Sequence, residues 1–279
     1  MTDILRSDEL AEKIKKGIEA RILEENLSPR LATIRLGENP GDVAYEKGIL
    51  KSAQSLNIDV DKYVLDRNIK EDELLNLIYN LNKDDLVDGI IIFRPLPKHI
   101  DIDKVDIAIS PEKDLDCLNP INKSNVYSGN VDGFIPLSPK AGIMLLEEYG
   151  LDFEGKDCVI VNDSSVVGKP LSMILLSKEA TVTICHSRTK NLKEKTKDAD
   201  IVFTAIGQAE YFDKSYFTKN SVIIDIGVSR NKEGKMRGDL DPKSIDGFVK
   251  AYSPVPGGIG KLTNLLLLES LFNYKYKKL

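Results

Sequence analysis

The chain is poor in the residues on which metal, redox and disulfide chemistry rest. Its 279 residues include three cysteines, Cys117, Cys158 and Cys185, and two histidines, His99 and His186. The odd cysteine count, the wide spacing and the lack of C-x-x-C argue against a disulfide framework or a zinc site. Buried thiols in a reducing cytosol are expected instead. The two histidines make no metal-ligand pattern, so no metal is expected. No apolar run is long enough to cross a membrane, and MTDILRSDELAEKIKK does not read as a signal peptide. A cytoplasmic protein without a membrane partner is the expectation. The net charge of −5 argues against a nucleic-acid partner, because counterion release needs clustered positive charge. The basic end YKYKKL reads as a solvated helix terminus. Also missing is G-x-G-x-x-G, the familiar dinucleotide loop.

What remains is an ordinary soluble composition, 42% hydrophobic and 30% charged, long enough for two domains. The pattern alternates helix and strand. Leu10, Ile14, Ile18 and Ile22 predict a helix over 8–25 with Ser7 before it. RLATIRLG predicts a buried strand over 30–37, then the turn GENPGD and a helix over 43–58 weakened by Gly48. A strand DKYVLD, a helix over 70–82 and a buried strand VDGIIIF over 87–93 follow, and this spacing implies parallel pairing with right-handed crossovers. Residues 121–135 have no clear period and read as a connector. SPKAGIMLLEEYG predicts a helix capped by Ser138, with Pro139 at its first position and Gly150 at its stop. A second series then runs CVIV, a helix from Pro170, ATVTIC, a helix over 190–197, IVFTAI and SVIIDIG. This is a doubly wound α/β pattern. A last apolar helix is expected over 263–274.

The stretch IVNDSSVVGKPLSMILL, residues 160–176, joins a strand to a helix where such sheets bind ligands. Its helix start offers backbone N–H groups and a positive dipole end to a phosphate. Ser164 and Ser165 add hydroxyls, Gly168 permits close approach, and Lys169 adds charge. Taken alone, an ordinary serine-capped turn explains the stretch equally well. HSRTK (186–190), AIGQ (205–208), DIGVSR (225–230) and SPVPGGIGKLT (253–263) put comparable loops after later strands. Four such loops at successive strand ends point to a ligand.

These motifs together resemble the bifunctional methylenetetrahydrofolate dehydrogenase/methenyltetrahydrofolate cyclohydrolases, over nearly the whole chain. SSVVGKP is similar to the end of that family's G-R-S-x-x-V-G-x-P loop. VTICHSRTK, AIGQ, IIDIGVSR, GDL and SPVPGGIGKLT follow in order, while ENPGDVAY, GIIIFRPLPKHI and PEKDLD resemble its N-terminal substrate motifs. The resemblance implies an α/β protein of two domains. One is an N-terminal folate-binding α/β domain, 1–120 with a returning C-terminal helix in 264–279. The other is a Rossmann-type nucleotide domain with a doubly wound parallel sheet, 121–263. It implies hydride transfer from 5,10-methylenetetrahydrofolate to NAD(P)⁺, hydrolysis of the methenyl product to 10-formyltetrahydrofolate, and a homodimer formed through the nucleotide domain. Carried over residue by residue, it places substrate at Tyr45, Pro95, Leu96, Asp116, Pro256, Gly257 and Gly258. It places cofactor at Asn162, Asp163, Ser164, Val167, Gly168, Pro170, His186, Ser187, Arg188, Ala205, Gly207, Gly227 and Val228.

The departures bear on the chemistry. In the family's Y-V-x-x-K motif the tyrosine aligns with Tyr45, but the lysine position is Ile49. Lys47 and Lys51 lie roughly 200° and 240° around a helix from Tyr45. The glutamine of Q-L-P-L-P is Phe93, while the aspartate that holds the pterin is retained as Asp116. Tyr45 and Asp116 are therefore the catalytic candidates. The dehydrogenase step, which rests on orientation, is expected to survive. The hydrolysis, which needs a proton shuttle, is expected to be weak or absent. G-R-S becomes Asn162-Asp163-Ser164. Asp163 would repel a 2′-phosphate and favours NAD over NADP, whereas Ser187 and Arg188 pull towards NADP. A non-catalytic paralogue that binds folate or nucleotide is the competing expectation. His99 is expected to cap or face solvent.

Overall fold

The computed structural model describes residues 2–272. In chain order the elements are β1 (Asp3–Ile4), α1 (Asp8–Glu24), β2 (Arg30–Leu36), α2 (Pro40–Ser55), β3 (Asp59–Leu65), α3 (Glu71–Lys83), β4 (Gly89–Ile92), α4 (Ile102–Ala108), α5 (Pro120–Tyr127) and α6 (Leu137–Glu148). They continue with β5 (Asp157–Val161), α7 (Gly168–Ser177), β6 (Thr181–Cys185), α8 (Leu192–Lys197), β7 (Ile201–Thr204), β8 (Val222–Asp225), β9 (Ser229–Arg230), β10 (Met236–Arg237), α9 (Pro242–Ile245), β11 (Ala251–Tyr252) and α10 (Gly260–Ser270). The described chain divides into two compact units. One holds residues 2–11, 126–130 and 136–263; the other holds 12–125, 131–135 and 264–272.

The second of these is built on a three-stranded parallel sheet in the order β3-β2-β4. In the central strand β2 every residue from Leu31 to Leu36 is buried, the polar Thr33 and Arg35 included. Side chains alternate across a strand, so Ala32, Ile34 and Leu36 share one face. They pack with Leu74, Ile78 and Leu81 of α3 and with Ile90 and Ile92 of β4. Those α3 residues recur at helical spacing, which is why the segment is a helix and which stripe it buries.

The first unit carries a six-stranded sheet in the order β1-β11-β8-β7-β5-β6, with every pairing parallel. Val159 stands opposite Thr183 on one side and Val202 on the other. Its core gathers Val159, Val161, Val202, Phe212, Phe217, Ile223 and Leu240. A two-stranded antiparallel ladder joins β9 to β10.

Several expectations need correction. The connector expected over 121–135 begins as helix α5. Asn119 accepts from the Ile121 amide at 2.8 Å, and Pro120 takes the first position, where its missing N–H costs nothing. The helix expected to be capped by Ser138 starts at Leu137, with Pro136 before it and no side-chain cap. The helix expected from Pro170 starts two residues earlier, at Gly168. Residues 2–11 fall with the larger sheet and not with the unit that carries β2, because β1 adds to the sheet edge beside β11, pairing Ile4 with Tyr252. The last part of the helix expected over 263–274 lies outside the described residues. No described helix is long and apolar enough to cross a membrane, and the described residues contain no cluster fit to hold a metal.

Candidate active site

The folate-side candidates sit on α2 and on the loops after β4 and α4. Helix α2 starts cleanly because the Asn39 side chain accepts from the Gly41 amide at 2.8 Å and Pro40 occupies the first position. The helix is regular through Gly48, so the positions around Tyr45 follow ordinary helical spacing. Tyr45 is partly buried, Lys47 and Lys51 are exposed, and Ile49 is fully buried. Phe93 follows β4 and is buried at 4% exposure. Its ring meets Tyr45 edge to face, with centroids 5.8 Å apart. The two positions that would carry an amine and an amide in Y-V-x-x-K and Q-L-P-L-P are thus filled by hydrocarbon.

Arg94 is joined to Pro95 by a cis peptide bond. Its guanidinium donates to Asp106, which also pairs with Lys123 at 2.8 Å. Pro95 is exposed, whereas Leu96 is buried in the hydrophobic core. Asp116 is partly buried. Burial, with help from the neighbouring Asp114 charge and against the pull of Arg94, pushes its carboxyl up to about 6. Asp114 is buried and tied down by the amides of Leu118 and Asn119 and by the Asn122 side chain. His99 bonds the Ile69 carbonyl.

The nucleotide-side candidates lie at the carboxyl ends of β5, β6 and β7. Asn162, Asp163, His186, Ser187 and Ala205 line one cavity of about 760 Å³. Gln208 of the AIGQ loop lines it too, as do Lys193, Tyr211 and Tyr216, which no sequence motif pointed to. Lys193 donates to Ser215 and stands over the Tyr216 ring, 4.7 Å from its centroid. Ser164, Val167, Gly168, Pro170, Arg188, Gly207, Gly227 and Val228 are not part of this lining.

The loop at the N-terminus of α7 is held by bonds within itself. Asn162 Oδ1 accepts from the Ser164 amide, the Ser164 hydroxyl and the Gly168 amide, while Asn162 Nδ2 donates to the Ala205 carbonyl. Ser164 in turn accepts from the Val167 amide through its hydroxyl and from the Lys169 amide through its carbonyl. The amides of residues 164, 167, 168 and 169 are therefore satisfied from within the loop. Gly168 is required by the packing of the loop itself: a Cβ there would lie 1.9 Å from the Asn162 carbonyl oxygen.

The AIGQ loop is organised in a similar way. The Asp239 carboxylate accepts from the amides of Ile206 at 2.6 Å and Gln208 at 2.8 Å. Asp225 accepts from the amides of Gly227, Asp239 and Leu240, although burial still pushes its carboxyl up to about 7. A Cβ on Gly227 would strike the Asp239 carboxylate, and one on Gly238 would strike that of Asp225. Each aspartate fits over the other's glycine. The DIG and GDL motifs are the local trace of this interlock, but only their spatial meeting reveals it. In the 253–258 loop, Val255–Pro256 is cis and Gly257 has φ +106°. Ser7, just before α1, holds this loop: its amide donates to the Gly257 carbonyl and its hydroxyl to that of Gly258, at 2.6 Å.

Residues 5–116 match the catalytic-domain model of tetrahydrofolate dehydrogenase/cyclohydrolase, and residues 136–279 match its NAD(P)-binding domain. The Bifunctional protein FolD of Clostridium botulinum strain Langeland is 43% identical over 274 residues, covering 97% of each chain. The crystal structure of the bifunctional FolD methylenetetrahydrofolate dehydrogenase/cyclohydrolase from Campylobacter jejuni superposes with a TM-score of 0.93 at 35% identity, over 97% of each chain. The Trypanosoma brucei enzyme complexed with NADP cofactor and an inhibitor superposes with a TM-score of 0.91 at 26% identity, over 98% of this chain and 96% of that one.

Proposed function

The chain belongs to the tetrahydrofolate dehydrogenase/cyclohydrolase family, and from that premise we propose that its principal reaction is NAD(P)⁺-dependent oxidation of 5,10-methylenetetrahydrofolate to the methenyl form, with little onward hydrolysis. The observation that carries this reading is the apolar pair Ile49 and Phe93, both buried, the second packed on Tyr45. Hydrolysis of the methenyl cation needs a group that activates water and moves protons, and losing one typically costs ~10²–10⁴-fold in rate. Neither hydrocarbon can do this. Hydride transfer makes no such demand; it needs the reacting carbons held face to face.

The roles divide between the two units. In the folate-binding unit, the Asp116 carboxylate accepts from the pterin N–H groups and the Tyr45 ring borders the one-carbon bridge. In the other, the cavity at the ends of β5, β6 and β7 receives the nucleotide, and its mixture of aromatic and polar walls suits an adenosine. When bound, the nicotinamide supplies the hydride acceptor. Asp163 is exposed and lines this cavity. A carboxylate there disfavours a 2′-phosphate and accepts from a ribose hydroxyl, which supports NAD over NADP. Ser187 and Arg188 favour the opposite choice, but Arg188 is not in the lining. A homodimer through the nucleotide-binding unit completes the reading. A non-catalytic paralogue is not favoured, since relatives matched along 97% of the chain are bifunctional enzymes by name.

The test follows absorbance at the methenyl and reduced-nicotinamide bands with each cofactor in turn. Both bands should rise together with NAD⁺, and the methenyl band should then persist. Hydrolysis at the rate of a lysine-bearing relative would overturn the proposal on cyclohydrolase. Tight use of NADP⁺ with none of NAD⁺ would overturn the cofactor preference.

A further inference from the structure

Helix α2 is attached to its sheet in an unusual way. Its buried residues are Glu46, Ile49 and Ala53, a spacing of three and then four that marks the face turned to the sheet. Glu46 is thus the one buried residue in the first two turns, the part that carries Tyr45. A carboxylate occupies the place where an amphipathic helix normally buries hydrocarbon, and where the Y-V-x-x-K motif has valine.

The sheet answers it in kind. Thr33 and Arg35 lie two residues apart on β2 and so point to the same face, opposite the one through which Ala32, Ile34 and Leu36 enter the core. The Thr33 hydroxyl donates to Glu46 Oε1 at 3.0 Å, and Arg35 Nε donates to Oε2 at 3.1 Å. Thr33 is fully buried, and Arg35 and Glu46 are each 5% exposed. The Arg35 guanidinium also donates to the Gly37 carbonyl and pairs with Glu38 at 3.1 Å, which ties the network to the loop leading into α2. Both carboxylate oxygens of Glu46 are therefore held by partners on a single central strand.

Such a network adds little net stability, because desolvating the charges offsets most of their attraction. What it adds is direction. Hydrogen bonds have narrow ranges of distance and angle, while apolar contact is non-directional. We propose that Glu46, through Thr33 and Arg35, is the positioning residue that sets where Tyr45 stands against the folate. This rests on the role given to Tyr45 under Proposed function.

The test replaces the network by hydrocarbon: Thr33→Val, Arg35→Leu and Glu46→Val together. The triple variant should melt at or above the wild-type temperature. Amide exchange in residues 41–48 should nevertheless be about tenfold faster. The KM for methylenetetrahydrofolate should rise about tenfold while that for the nucleotide is unchanged. Wild-type exchange over 41–48 together with a wild-type folate KM would overturn the proposal. If the triple variant does not fold, Glu46→Gln decides. It keeps the shape and the Thr33 bond but removes the ion pair, and it should move both readouts in the same direction; no change in either overturns the proposal. Absence of methylenetetrahydrofolate turnover by the wild type would sink the functional reading, and the exchange measurement would still judge the anchor.

Discussion

The rings of Tyr45 and Phe93 meet edge to face, 5.8 Å apart with their planes at 87°. This arrangement places the positive edge of one ring on the negative face of the other and is worth roughly 0.5–1.5 kcal/mol beyond the area buried. It also means that the residue standing at a family glutamine position acts on the tyrosine by packing. Restoring polar chemistry here requires changing more than one side chain.

Ile49→Lys alone puts an ammonium into a fully buried position, with no designed partner. It should lower the melting temperature sharply, in line with a cost of about 3–5 kcal/mol for an uncompensated buried charge. Adding Phe93→Gln should recover part of that loss and raise methenyltetrahydrofolate hydrolysis at least about tenfold, measured as decay of the methenyl absorbance. A double variant that folds and still does not hydrolyse would show that the missing pair is not what limits the second reaction.

Asp116 predicts two opposite pH trends. Its carboxyl is raised from 3.8 to about 6, first by burial and then by Asp114. The raised value means that its contribution to stability is fully present below 3.8 and is lost as pH rises through about 6. On the role proposed for Asp116, folate binding runs the other way, because the pterin N–H groups then need the carboxylate as acceptor. The KM for methylenetetrahydrofolate should therefore fall as pH rises through about 6. Arg94→Met removes the positive neighbour that favours the charged form, and the break should move to higher pH. A KM that does not change with pH over about one unit either side of that value would remove Asp116 from the binding role.

Asn162 joins the strand end of β5, the start of α7 and the Ala205 carbonyl through one side chain. Asn162→Ala leaves the Gly168 amide and the Ala205 carbonyl without that partner. A loss of about 2–4 kcal/mol is expected from several broken bonds at a partly buried site. The nucleotide KM should rise with little change in the folate KM, as read from steady-state kinetics with each substrate varied.

Gly168→Ala should be more damaging than its size suggests. The new methyl would meet a backbone carbonyl oxygen at 1.9 Å, and backbone cannot swing aside as a lysine tip can. Strain above about 3 kcal/mol is expected, visible in denaturant unfolding. Gly17→Ala, whose Cβ meets nothing within 4 Å, should be neutral or stabilising.

Much of the architecture is legible locally. The buried run of β2, the apolar stripe of α3 and the alternation that builds both parallel sheets follow from periods of two and 3.6 residues. Helix α5 was also within reach, since Asn119-Pro120 is a good start signal, but a weak apolar period hid it. The two-residue strands β1 and β11 were not within reach, because two residues carry no period. The loops after β5, β6 and β7 stand out by composition, yet composition does not say where their amides point. In the structure the N–H groups of 164, 167 and 168 turn to Asn162 and Ser164, and those of 206 and 208 turn to Asp239.

The amino-acid sequence by itself determined the order of helices and strands, the succession of strand-end loops and the hydrocarbon at positions 49 and 93, because each is a property of neighbouring residues. Tertiary structure alone decided that Glu46 lies buried between Thr33 and Arg35, and that Asp225 and Asp239 each close over the other's glycine. A carboxylate's partners are chosen by which strands come together, and local patterning holds no record of that choice.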